Sequence, residues 1–406
     1  MIEGLNDEMV RRGLDGIVGF GETTLADPDL TYVVGGVLPR GGFFFKKVGR
    51  PPLLVISSLD YGSARRHGRV KRVETLTQWG YEGLLRKYAN RDAANARLIV
   101  SVLKREKVRG KVALFGRNDL AKGLHLAHAL ERSGVNLAVE GSLTVLEASR
   151  DTKSQDELKK IRDVASRTAS VVHHVLRLLR SARSKRGHLE VHGKRATVGL
   201  IKSVIRSKLA EADLVAPEGT IFATGASGAD PHNMGVPAAE IKRGQLVVFD
   251  IFPQGESGYW FDLTRTFLVG RASAKTRKMF EAVLDAQESA FDHLRAGVTS
   301  DSVMGVACDA IERAGFNTVR ALYQGKVRKI SAGFTHALGH GVGLTIGESP
   351  YLSFGNRTPL KSGEVVTVEP GIYLPGYGGV RLEDTVLIKS KGIENLAHLD
   401  KELELT

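Results

Sequence analysis

The 406-residue chain has one cysteine, Cys308, which excludes an internal disulfide framework and fits a reducing compartment. No apolar run approaches the roughly 18 residues of a membrane span. The opening residues, MIEGLNDEMVRRG, lack the apolar stretch of a secretory signal. No short tandem repeat is present, which excludes a solenoid. These absences point to a cytoplasmic globular protein, and 42% hydrophobic against 25% charged residues leaves enough apolar material for a core. The net charge of +13 raises the question of nucleic acid. The basic clusters ARRHGRVKR (64–72), RSARSKRG (180–187) and GKVRK (325–329) are scattered and carry no interleaved aromatic platform. They read as solvated surface, with neither a nucleic-acid nor a membrane partner expected.

What is present in the first third is strand–helix alternation. LDGIVGF, LTYVVGG, PPLLVISS and KVALFG predict buried strands, and DLAKGLHLAHALERSG predicts a helix ended by glycine. That pattern argues for an α/β domain. The paired glycines of VVGGVLPRGGFFF (33–45) lack phosphate-loop spacing and read as turns. A boundary falls near residue 150, giving domains at 1–149 and 150–406. Just after it, Ser154 and Glu157 form a capping-box pattern ahead of apolar residues at helical spacing. His173 and His174 lie on this helix but diverge by about 100°, a poor ligand pair. Cys308, in the amphipathic stretch SDSVMGVACDAIERAG, reads as a small buried hydrophobe.

Two hairpin-like segments in the second domain each carry two carboxylates. In FDIFPQGESGYWFD, a turn centred on Glu256 would place Asp250 opposite Asp262. In VEPGIYLPGYGGVRLED, a turn centred on Gly376 would place Glu369 opposite Glu383. Like charges opposed in apolar strands repel, by about 4 kcal/mol at 4 Å and an effective dielectric near 20. Two such pairs in one domain call for cations, and two divalent ions would neutralise four carboxylates. In HALGHGVGLTIGESP (336–350), His340 offers a fifth ligand, and Gly339, Gly341 and Gly343 permit close backbone approach. Four carboxylates and one imidazole suit Mn, Co, Fe or Zn in a pair.

At these residues the chain resembles the pita-bread metallopeptidases: prolidase, aminopeptidase P and methionine aminopeptidase. The resemblance covers residues 150 to 406 strongly. More weakly, the first 150 residues resemble a creatinase/prolidase-type N-terminal domain. The implied fold is an α/β N-terminal domain followed by an α+β pita-bread domain. The family's five ligand motifs match in order at Asp250, Asp262 (DLTRT), His340 (GHG), Glu369 (EPG) and Glu383 (RLE). His336, His232 and Arg381 match the proline-specific branch, closest to Xaa-Pro dipeptidase. The resemblance implies that two divalent ions (Mn, Co, Zn or Fe) activate water. Glu369 would act as general base, with His336, His232 and Arg381 as further catalytic residues. It implies a short peptide substrate with proline in second position, and a homodimer.

One departure stands out. Where the family carries a histidine seven residues after the ligand histidine, this chain has Gly347, followed by Glu348 and Pro350. An expected hydrogen-bond donor is missing, which implies atypical or reduced Xaa-Pro hydrolysis. The alternatives are a non-peptidase small-molecule hydrolase or lyase on the same fold, and a noncatalytic binding protein.

Overall fold

In the computed structural model, described for residues 4–21, 23, 27–35, 42–88, 90–141, 143–185 and 188–406, the chain divides into two units, Met1–Arg150 and Asp151–Thr406. The first is organised by a five-stranded mixed sheet in the spatial order 72–75, 53–56, 42–47, 14–21 and 111–115. Strands Leu14–Gly21, Leu53–Ile56 and Lys111–Phe115 form where apolar runs predict them. Helix Arg91–Arg105 buries Leu98, Ile99 and Val102 in the same apolar cluster as Val18, Phe43 and Val55 of the sheet. Helix Leu120–Arg132 starts at Asp119, whose carboxylate accepts from the Ala121 and Lys122 amides.

LTYVVGG, expected as a strand, is instead the end of helix Pro28–Val34. Its capping chemistry overrides the β-branched composition. Asp27 accepts from the Leu30 amide, Pro28 occupies the first turn, and Gly35 closes the helix at φ +69°. The turns expected around the paired glycines fall largely on residues 36–41, outside the described residues. The Phe run that follows them is a strand, Gly42–Lys47, with the rings of Phe20 and Phe43 stacked at 4.8 Å.

The second unit opens with helix Gln155–Arg180, and both halves of the Ser154–Glu157 capping box are made. His173 sits exposed on it. One sheet runs in the order 220–224, 247–251, 263–269 and 404–405; another runs 346–352, 339–342, 365–368, 384–388 and 393–395. A two-stranded ribbon, 371–374 with 378–381, continues from the second sheet. Helices Ala274–His293 and Ser300–Arg313 bury Val283, Ala286, Val303 and Ile311 in one core with Val366, Val368 and Val386. Cys308 lies fully inside that core, where burial pushes its thiol up to about 11, so it packs as a hydrophobe. Among the described residues no helix is long and apolar enough to cross a membrane.

Candidate metal centre

Each site side chain is placed by a strand or the residue just beyond one. In the ribbon of 365–388, Val368 pairs with Asp384 and Gly371 with Arg381, a single register about Gly376, so Glu369 and Glu383 stand opposite each other as expected. Gly376 takes φ +77° at the turn.

In the ribbon of 247–269 the expected register is wrong. Asp250 pairs with Thr264, not Asp262, and Ile251 pairs with Leu263. The hairpin is centred on Ser257 instead of Glu256. Gly258, at φ +84°, donates its amide to the Gly255 carbonyl at 2.9 Å, and Gly255 in turn bonds Tyr259. This slip of two residues preserves facing, because side chains alternate with period two. Asp262 therefore remains on the same face as Asp250, diagonal to it.

Thr264 joins the ribbons. It bridges to Glu383, whose amide donates to the Thr264 carbonyl at 3.0 Å, and its hydroxyl donates to Glu383 Oε2 at 2.6 Å. Strand Gly339–Val342 brings His340 to the same place. Glycine is required there: a Cβ on Gly339 would lie 2.0 Å from the Thr367 carbonyl oxygen, and one on Gly341 2.2 Å from that of Ser349. His340 donates Nδ1–H to the Gly341 carbonyl at 3.1 Å. That leaves the Nε2 lone pair 3.6 Å from both Asp262 Oδ2 and Glu369 Oε1.

All five expected ligand residues line one cleft of about 420 Å³, together with His232, His336 and Arg381. Asp262, His340 and Glu383 each offer a ligand atom within 4.8 Å of the others. Asp250 Oδ1, Asp262 Oδ1 and Glu383 Oε1 are buried with no hydrogen-bond partner among the described residues. Such orphaned oxygens are costly unless a cation meets them, so the donor set fits hard or borderline divalent ions. Burial, then repulsion from neighbouring carboxylates, pushes Asp262 and Glu383 well above the usual range. Burial, opposed by Arg381, leaves Glu369 at about 7.

Arg381 is the buried counter-charge. Its Nη2 donates to Asp250 Oδ2 at 2.6 Å, Nε to the Thr264 hydroxyl at 3.2 Å, and Nη1 to Tyr373 Oη at 3.0 Å and the Pro231 carbonyl at 3.2 Å. His336 donates Nδ1–H to the Ala337 carbonyl at 2.7 Å, and its Nε2 accepts from Tyr373 Oη at 2.9 Å. Burial, aided by the charge of Arg381, pulls this imidazole down to about 3, so it stays neutral. Burial likewise pushes Tyr373 up to about 12, keeping its proton. His232 is exposed in the same cleft.

Gly347 sits in a bulge between the Gly341–Glu348 and Val342–Ile346 pairs, at φ +75°. A Cβ there would have the Tyr351 hydroxyl as its nearest contact, at 3.8 Å, and that hydroxyl donates to the Gly347 carbonyl. Glu348 is tied to the buried Lys153, 2.6 Å away. The sequence reading missed Tyr373, Thr264, Thr367 and Lys153. The two threonines are legible afterwards: each lies two residues from a carboxylate, on the same strand face.

Residues 159–390 match metallopeptidase family M24. The Xaa-Pro dipeptidase of Pyrococcus furiosus is 40% identical over 184 residues, covering 45% of this chain and 48% of that protein. The chain thus spans about half the length of such curated relatives. A peptidase of Bacillus subtilis, YqhT, uncharacterized, is 30% identical over 289 residues, 71% of this chain and 73% of its own. Among solved structures, the X-Pro aminopeptidase of Thermotoga maritima superposes with a TM-score of 0.76 at 23% identity, covering 98% of this chain and 99% of that one. The Pyrococcus furiosus prolidase gives 0.72 at 25%, covering 97% and 99%. These superpositions show the fold, an α/β N-terminal unit and a pita-bread C-terminal unit. With the family match spanning more than half of the sequence and the acidic ribbons converging on His340, the chain belongs to metallopeptidase family M24.

Proposed function

We propose that the protein is a dinuclear-metal peptidase that hydrolyses the bond between an N-terminal residue and proline in short peptides. The observation that carries this reading is the set of buried oxygens of Asp250, Asp262 and Glu383 that have no partner among the described residues, in the cleft where His340 Nε2 lies 3.6 Å from Asp262 Oδ2 and Glu369 Oε1. Asp250, Asp262, His340, Glu369 and Glu383 would hold the ions, of Mn, Co, Zn or Fe. Ions bound there would polarise the scissile carbonyl and lower the pKa of water. Glu369, whose Oε1 accepts from the Thr367 hydroxyl at 3.3 Å, is placed to take up a proton and pass it on. Arg381 holds Asp250 Oδ2 in place and anchors the His232 loop through the Pro231 carbonyl. The exposed His232 imidazole is free to donate to the developing oxyanion or to the leaving proline nitrogen. His336, committed at both nitrogens, serves as a neutral wall of the pocket.

The resemblance further supports a homodimer in the cytoplasm, consistent with the single buried thiol. Gly347 supplies no side chain over the site, and we propose that hydrolysis is correspondingly weaker than where an imidazole stands. That same observation favours the second reading, a small-molecule hydrolase or lyase. The test is metal-free protein titrated with Mn, Co or Zn and assayed on Xaa-Pro and Xaa-Ala peptides. Two ions per chain and turnover confined to Xaa-Pro are expected. Failure to bind any transition ion, or equal turnover of Xaa-Ala, would overturn the reading.

A further inference from the structure

Helix Ala274–His293 buries Met279, Val283, Ala286 and Ala290, yet Gln287 is fully buried on it as well. A buried amide is costly unless it is bonded. Its Nε2 donates to the Val368 carbonyl at 2.8 Å and to the Leu382 carbonyl at 3.2 Å. Both neighbours are acceptors, so the amide has to sit nitrogen-first. Its Oε1 meets no hydrogen-bond partner among the described residues. Val368 and Leu382 immediately precede Glu369 and Glu383 in the chain.

The ribbon needs an outside donor at this point. Its register is the same on either side, Val368 with Asp384 and Gly371 with Arg381, but the ladder is interrupted between them. Leu382 donates its amide to the Pro370 carbonyl at 3.4 Å. In an antiparallel pair the partner returns that bond, and proline has no N–H to return. Gln287 gives the Leu382 carbonyl a hydrogen instead. The effect reaches both glutamates through the peptide planes from which they hang. In the plane joining Val368 to Glu369, Gln287 holds the carbonyl and the Leu338 carbonyl holds the amide at 2.8 Å. In the plane joining Leu382 to Glu383, Gln287 holds the carbonyl and the Thr264 carbonyl holds the amide at 3.0 Å. A flat peptide pinned at both edges resists rotation, which fixes the direction of the side chain that follows it.

We propose that Gln287 is a positioning residue of the metal centre: its amide supplies the donor that Pro370 lacks and sets the spacing of the Glu369 and Glu383 carboxylates. Gln287 is not among the described residues lining the cleft, so it acts through the backbone of the two ligands. The role rests on the metal-centre reading proposed above. One helix side chain thereby couples ligands on opposite strands, and its loss should loosen both together.

The experiment is a calorimetric Mn titration of the metal-free full chain across a donor series at this position. The glutamine offers two N–H donors, Gln287→Glu one as a buried protonated carboxyl, and Gln287→Met none at similar size. Mn affinity should fall about tenfold in Gln287→Glu and about 100-fold in Gln287→Met. Pro370→Ala restores an N–H opposite Leu382, so in the Gln287→Met background it should recover about tenfold of that loss. Val283→Ala, buried on the same helix, should lower the unfolding midpoint but leave Mn affinity within about twofold. In metal-free protein, amide exchange over residues 366–384 should be faster in Gln287→Met than in Val283→Ala. Equal Mn affinity across the donor series, or an equal loss in Val283→Ala, would overturn the role while leaving the metal centre intact. If Gln287→Met does not fold, the comparison of Gln287→Glu with Val283→Ala decides. A wild type that binds no transition ion would overturn the metal reading, and this role with it.

Discussion

Glu369 and Glu383 stand directly opposite each other in their ribbon, whereas Asp250 and Asp262 in theirs are staggered by two residues. The protein also treats the two pairs differently. Asp250 has a built-in cation, Arg381, at 2.6 Å. Among the described residues, Glu369 and Glu383 receive side-chain bonds from the hydroxyls of Thr367 and Thr264 alone. One ribbon is thus partly compensated by the chain itself, while the other meets no such cation among the described residues. Breaking the pairs one at a time should expose that asymmetry.

The largest effect is a difference of sign in metal-free protein. Asp250→Asn and Arg381→Met each leave a buried charge without its partner, and each should cost about 3–5 kcal/mol in chemical denaturation. Glu383→Gln removes one of several mutually repelling carboxylates and should stabilise the metal-free protein, while abolishing tight ion binding in calorimetry. If all three destabilise alike, the two ribbons are equivalent and the comparison fails. Thr264→Val comes next. It releases Glu383 Oε2 and the Arg381 Nε contact together, so metal affinity should drop about 10–100-fold in a competition titration. An unchanged affinity would mean that backbone register alone orients Glu383.

Gly347→His tests the bulge beside these ribbons. At φ +75° a side chain should cost about 1–2 kcal/mol, read as a lowered unfolding midpoint. Restoring an imidazole by this route therefore carries a stability loss. No loss would show that the segment takes up another backbone conformation.

The smallest effect lies outside the site, at Glu364, which accepts from the Lys361 amide at 2.8 Å and is faced by Asp151, Lys361 and Lys153. Burial raises its carboxyl from 4.5 to about 7. A carboxyl with a raised folded pKa contributes stability that is full below 4.5 and gone above about 7. Glu364→Gln should flatten the fall in metal-free melting temperature across that window. An unaltered slope would assign it to other groups.

Much of this was legible in the sequence because alternation fixes facing. Asp250, Asp262, Glu369 and Glu383 line one cleft whichever way the pairing slips by two residues, so an erroneous register on one ribbon did not separate them. Turn geometry sets register, and nothing in PQGESGY distinguishes a centre at Glu256 from one at Ser257. The misread helix at 28–34 has a similar origin: β-branched residues suggested a strand, while Asp27, Pro28 and Gly35 held the stronger boundary signals. Tyr373 could not be read as His336's partner, because the two are brought together only by the pairing of Gly333 with Tyr373 across the fold.

Thr264 lies at the seam where the ribbons touch, and the donors gathered around it come from the two largest sheets of the second unit and the segments that continue from them. No single hairpin holds enough of them to chelate well. Ion uptake on the proposed reading would therefore be a late event, open only to a chain whose sheets have already docked, and it would favour that docking by mass action. A newly made chain starved of transition ions would keep its acidic knot under tension. Protease sensitivity that falls on adding Mn would be its signature in the cell.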